Sequence, residues 1–148
     1  MKSTLSVFLC LLLLGCAHRH RAEAYEFPKG FHGWAIIVWG VPDYPQSPTN
    51  HDTLIIEFPT NGIVVTSTKI EFNAMRSGSY FLDATGKRLS LSPNIGFVGN
   101  GFMYEDKTHR PMDYTRIFIG TKMEFQTNHD APQIDKLWES GLNSKLDY

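Results

Sequence analysis

The chain is poor in cysteine: Cys10 and Cys16 are the only two among 148 residues. Cys10 falls in a segment read as removed and Cys16 in a position read as lipidated. The mature domain therefore has no disulfide and no thiol nucleophile. It must be stable through its core alone, and the 133 residues from position 16 onward are ample for one core and one domain. Charge of one sign is also missing. The 14 Lys and Arg face 15 Asp and Glu, which leaves no basic footprint for a nucleic-acid partner. No apolar run approaches the roughly 20 residues that a bilayer-spanning helix needs.

The short motifs of catalysis and metal binding are absent too. No Gly-x-Ser-x-Gly elbow presents a nucleophile, and there is no His-Glu-x-x-His, paired-cysteine or complete calcium-loop spacing. The order of Gly96, Gly99 and Gly101 does not match a phosphate-cradling loop, and among Phe97, Phe102 and Tyr104 these glycines read as a bulge or tight turn. The expectation is no cofactor and no metal.

What is present begins at the amino terminus. Lys2, the apolar stretch Leu5 to Leu14 and Leu13-Leu14-Gly15-Cys16 have the organisation of a bacterial lipoprotein signal, cut before a Cys16 alkylated with diacylglycerol. Residues 1–15 are read as the cleaved signal peptide and 16–24 as a flexible tether. His18, Arg19, His20 and Arg21 lie in that tether beside the anchor, a place open either to contact with acidic lipid headgroups or to plain solvation. The bilayer is thus the one partner the sequence names, through acylated Cys16, on the exported side of a cell membrane or outer membrane. Ala17 rather than aspartate after the cysteine leans toward the outer membrane in a double-membraned host. A rival site, Ala22-Glu23-Ala24 before Tyr25, would instead release a soluble domain.

From Tyr25 the sequence reads as strands. Gly33 to Gly40 is continuously apolar and β-branched, a central strand buried on both faces. Val41 to Asp52, with Pro42, Pro45 and Pro48, reads as a surface loop. Thr53 to Phe58 and Ile63 to Thr68 flank Pro59-Thr60-Asn61-Gly62, a hairpin signal. A second hairpin joins Ser79–Leu82 to Arg88–Leu91, Ile95 to Tyr104 adds glycine and aromatics, and Tyr114 to Gly120 with Lys122 to Phe125 closes the series. With no helices between strands, the expected fold is mainly β, a small antiparallel β-sandwich over residues 25–129. Asp130, Pro132 and Gln133 are start signals for a helix over 130–146, whose stripe Ile134, Leu137, Trp138 and Leu142 packs on the domain.

Phe27-Pro28-Lys29-Gly30-Phe31-His32-Gly33-Trp34, Trp39-Gly40-Val41-Pro42, Phe58 to Ile63 with Thr66-Ser67, and Ile117 to Lys122 with Glu124-Phe125 occur in a consistent order. Together they resemble an uncharacterised family of bacterial lipoproteins with a β-rich domain. The resemblance implies a fold and an address, and it carries no functional residues across.

Loops on a rigid scaffold are where recognition usually resides. The polar residues His51 and Asp52, and Glu105, His109 and Asp113, are therefore the candidate pocket or partner contacts. Two classes of function remain open. One is a non-catalytic binding or interaction module of the cell envelope, facing an envelope protein or small ligand. The other is a small surface hydrolase using the acidic and histidine residues near 105–113. The missing catalytic constellations favour the first, with no catalytic residue assigned.

Overall fold

The computed structural model describes residues 21–71, 77–91, 95–104 and 111–127. Strands β1 Ala22–Pro28, β2 Gly33–Trp39, β3 Thr49–Asn50, β4 Thr53–Glu57 and β5 Ile63–Val65 precede β6 Ser77–Leu82, β7 Arg88–Ser90, β8 Ile95–Tyr104 and β9 Pro111–Gly120. Helix α1, Lys122–Thr127, comes after β9. One sheet has the order β3-β4-β1-β6-β7 and the other β5-β2-β9-β8. The protein is mainly β, as its β-branched and aromatic segments dictate.

The core lies between the sheets. Tyr25 and Phe27 of β1, Leu54 and Ile56 of β4, Ala35, Ile37 and Trp39 of β2, and Ile117 and Ile119 of β9 form one buried cluster. Alternation along each strand sends the intervening residues outward. Ile36 and Val38 nevertheless stay buried, in a second cluster with Val41, Val65 and Met112. Strand β2 is therefore covered on both faces, as its unbroken apolar run requires. Phe27 stacks on Phe58 at 4.4 Å and on Phe31 at 5.4 Å between ring centroids.

Pairing departs from the antiparallel expectation. Strand β1 runs parallel to both β4 and β6, and β2 runs parallel to β5. Parallel neighbours need a crossover, for which a helix is the common solution. Here strands of the opposite sheet provide it, because the chain passes from β1 to β2, back to β4 and across again to β5. Asn61-Gly62 shares in this correction. The turn exists, with Gly62 at φ 72°, Gly62 N donating to Pro59 O at 2.9 Å and Ile63 N to Asn61 Oδ1 at 3.0 Å. It does not close a hairpin: Phe58 N donates to Glu26 O in the first sheet, whereas Gly62 O accepts from Ile36 N in the second.

Other elements match or refine the expectations. The hairpin of β6 and β7 pairs Tyr80 with Ser90 and Leu82 with Arg88. In the expected surface loop, Asn50 pairs with Thr53 around His51 and Asp52, whose φ angles of 45° and 63° make a tight hairpin turn. Lys122 to Phe125 is helical rather than extended, because Thr121 and Glu124 form a reciprocal capping box. Thr121 N donates to Glu124 Oε2 at 2.6 Å and Glu124 N to Thr121 Oγ1 at 3.2 Å. The segment 130–146, read as a helix, lies outside the described residues.

Residues 22–24, read from the sequence as part of a flexible tether, are a strand. Strand β1 starts at Ala22, and Glu23 and Ala24 are 5% and 3% exposed. Ala-Glu-Ala has little intrinsic strand preference, but its position between β4 and β6 imposes one, as tertiary context does for weak β-formers. Arg21 is fastened as well, through its guanidinium to Lys69 O at 3.3 Å and to the Glu71 carboxylate at 3.8 Å.

Candidate functional site

The parallel strands give the sandwich two distinct ends. β1, β4 and β6 all begin at one end, with Ala22 opposite Thr53 and Glu23 opposite Ser77, and all finish at the other, where Glu26 lies opposite Glu57 and Pro28 opposite Leu82. At their carboxyl ends the structure has a cleft of about 480 Å³, lined by Pro28 and Lys29 at the end of β1, Glu57 and Phe58 at the end of β4, and Leu82, Asp83, Ala84 and Gly86 at the end of β6 and in the β6–β7 turn. Its walls are apolar, with one ammonium and two carboxylates at the margin.

Asp83 belongs to the turn rather than to the hollow. Its Oδ1 accepts hydrogen bonds from Thr85 N at 2.8 Å, Thr85 Oγ1 at 2.6 Å and Lys87 N at 3.0 Å. These bonds, the Thr85 hydroxyl first, hold its carboxyl below the ordinary value of 3.8. A carboxylate so engaged stays ionised and is unsuited to donate a proton. Lys29 and Glu57 are the polar groups that a bound molecule would meet. Neither was singled out in the sequence, since the convergence of three strand ends depends on long-range pairing.

Of the residues that the sequence did single out, those described lie at the opposite end. His51 and Asp52 form the exposed turn before β4. Asp113, half-buried near the start of β9, is paired with Trp39 at the end of β2. Glu105 and His109 lie outside the described residues, between Tyr104 and Pro111, which are themselves paired. Cys16 also lies outside them. Among the described residues no group of three or more His, Cys, Asp or Glu side chains is placed to hold a metal ion. No helix among them is long and apolar enough to cross a membrane.

A model of a family of unknown function, DUF6843, matches residues 19–129. The chain belongs to this family. A solved structure of similar fold, described as "Putative Lipoprotein from Bacillus anthracis", aligns with a TM-score of 0.62 over 82% of this chain and 91% of that one, at 20% identity. At that identity the likeness is one of fold. No curated protein matches the chain. The resemblance read from the sequence to an uncharacterised β-rich family thus agrees with the family found, and the match begins three residues before β1.

At that amino-terminal end the DUF6843 domain holds a buried acid. Glu23 points into the core side of β1, where Tyr25 Oη donates to its Oε2 at 2.5 Å, while its Oε1 is buried with no hydrogen-bond partner among the described residues. Burial pushes its pKa above the ordinary 4.5, opposed by the Tyr25 hydrogen bond and the Arg21 charge, with Glu71 adding to the rise. A raised native pKa means that folding favours the protonated form. Glu23 therefore contributes stability that is fully present below its unfolded pKa of about 4.5 and is lost as pH rises through the higher native value. Glu23→Gln is expected to abolish this contribution, so that the difference in unfolding free energy between wild type and variant changes between pH 4 and pH 7 in the wild type's favour on the acid side. Urea melts across that range would show parallel pH profiles if Glu23 titrated normally in the folded protein.

Proposed function

We propose that the chain is a non-catalytic binding module of the cell envelope, anchored through acylated Cys16 and presenting the cleft at the carboxyl ends of β1, β4 and β6. The observation that carries this reading is the polarity of β1, which runs from the tethered end of the domain to the cleft. Only Ala17 to His20 separate Cys16 from the fastened Arg21. At about 3.5 Å per residue the chain from Cys16 to Arg21 reaches at most roughly 17 Å. The amino-terminal end thus stays near the bilayer, and the cleft faces away, farther by the ~23 Å length of a seven-residue strand.

The same strand favours the lipobox over the rival cut before Tyr25. Ala22, Glu23 and Ala24 pair with Thr53, Leu54 and Ile55 in the middle of the sheet, and removing them would leave the first residues of β4 and β6 without their shared neighbour. The hydrolase reading gains no support from the cleft, whose lining holds no histidine, serine or tyrosine.

The anchor is tested by the intact mass of protein recovered from a bacterial membrane fraction. A chain beginning at Cys16 with added diacylglycerol mass is expected, with the Cys16→Ser form lacking that mass and leaving the membrane. A soluble wild-type chain beginning at Tyr25 would refute it. Display is tested by labelling intact cells or spheroplasts of a Cys16-lipidated strain carrying Ala84→Cys or His51→Cys with a bulky maleimide. Position 84 is expected to react several-fold faster than position 51.

A further inference from the structure

We propose that residues 130–146 form a helix seated on the outer face of the β5-β2-β9-β8 sheet, over Trp34 of β2 and Phe118 of β9. This inference is independent of the lipid anchor. Trp34 and Ile36 alternate with the core residues Ala35 and Ile37, and Phe118 lies between the core residues Ile117 and Ile119, so all three face away from the other sheet. Yet Ile36 and Phe118 are only 2% and 1% exposed. This face is covered, not solvated.

Part of the cover is known. Val41 and Tyr44 pack over Ile36 and Val38 toward the end of β2. Toward its start, Phe125 of α1 lies 5.9 Å from Trp34 and 5.4 Å from Phe118, with Trp34 and Phe118 5.3 Å apart. The indole Nε1 of Trp34 is also buried, without a hydrogen-bond partner among the described residues. Helix α1 ends at Thr127, two residues beyond Phe125, so the chain leaves α1 beside this aromatic trio.

The carboxyl-terminal segment fits that place in length and pattern. Twenty-one residues remain after Thr127, beginning with the start signals Asp130, Pro132 and Gln133. A 17-residue helix over 130–146 would be about 25 Å long and about 10 Å wide. The strands β2 and β9 are seven and ten residues long, and two adjacent strands span about 10 Å across the sheet. Ile134, Leu137, Trp138 and Leu142 make one stripe for such a surface, with Asp135, Lys136 and Glu139 off it. The outer face of the other sheet is the wrong chemistry: Glu26 is ion-paired there with Arg88 at 2.6 Å, beside Glu57, with the Arg88 guanidinium over the Tyr80 ring.

The test is paramagnetic broadening in the mature chain with Cys16→Ser, carrying a nitroxide on Ser140→Cys, which lies off the apolar stripe. Amides 34–37 of β2 and 117–120 of β9 are expected to lose intensity several-fold more than those of β4 and β7, to a degree independent of protein concentration. Adding Leu137→Asp, which places a charge in the stripe and leaves every residue of the two sheets unchanged, is expected to abolish the contrast while the strand resonances persist. Equal broadening of the two sheets would overturn the proposal, as would a contrast that survives Leu137→Asp. Contrast that grows with concentration would assign the face to a second copy, and contrast seen only with phosphatidylglycerol vesicles would assign the helix to a lipid surface; either result overturns it too.

Discussion

Trp39→Ala is expected to lower the unfolding free energy by about 3–5 kcal/mol, the usual cost of truncating a buried large aromatic side chain. Trp39 is 2% exposed and sits in the inter-sheet cluster with Tyr25, Phe27, Leu54 and Ile117. Its Nε1 donates to Thr115 Oγ1 at 2.9 Å, so truncation removes a hydrogen bond between two buried groups as well as apolar contact. For a domain of this size the loss corresponds to a fall in melting temperature of about 10 °C or more. Thr115→Val, which keeps the shape and removes the acceptor, separates the two contributions and is expected to cost about 1–3 kcal/mol. Trp34→Ala serves as the contrast, since Trp34 is half-buried on the outer face. Urea denaturation of the three variants is the measurement. A Trp39→Ala protein within about 1 kcal/mol of wild type would mean that this ring is not part of the core.

The difference between the two tryptophans marks how far the sequence could be read. The apolar run Gly33 to Gly40 specified a strand buried on both faces, and β2 is one. Five residues apart along a strand, Trp34 and Trp39 had to face opposite sides, but only pairing with β9 shows which one enters the core. Local turn chemistry was equally legible: Asp83 to Lys87 closes the β6–β7 hairpin, and Gly62 takes a positive φ. Destination was not. Asn61-Gly62 carries the same signal whether the chain returns to its own sheet or crosses to the other. The parallel pairing of β5 with β2 results from that crossing and that of β1 with β4 from the earlier passage through β2; the cleft follows, because three strands stop at one end only when they run the same way. Ala22 to Ala24 was illegible for a related reason, since its strand character comes from two neighbours 30 and more residues away in sequence. The capping box Thr121-Lys122-Met123-Glu124, by contrast, was written in the sequence, and the β-branched run before it drew the reading of a strand past its end. The candidate residues His51, Asp52 and Asp113 were chosen as polar groups in loops, a criterion that finds exposed ends without distinguishing one end of the sandwich from the other.

Gly62→Ala is expected to destabilise the domain by about 2–5 kcal/mol, from two sources that a second variant separates. At φ 72° a side chain costs about 1–2 kcal/mol through its clash with the neighbouring carbonyl. A Cβ at this position would also stand 2.7 Å from Phe31 Cζ and 3.0 Å from the Trp34 carbonyl oxygen. The Phe31 ring has room to give only by leaving its stack on Phe27, and the Trp34 carbonyl is fixed in β2, so overpacking adds about 1–3 kcal/mol. Gly30 has a similar φ of 80°, but a Cβ there meets nothing within 4 Å. Gly30→Ala should therefore show the conformational cost alone, and thermal or urea melts of the pair should differ by at least about 1 kcal/mol. Equal losses would place the turn farther from Phe31 and β2 than the structure has it. The larger loss at Gly62 would locate the tightest crossing between the sheets beside Phe58, and so tie the wall of the cleft to the turn that sets β5 parallel to β2.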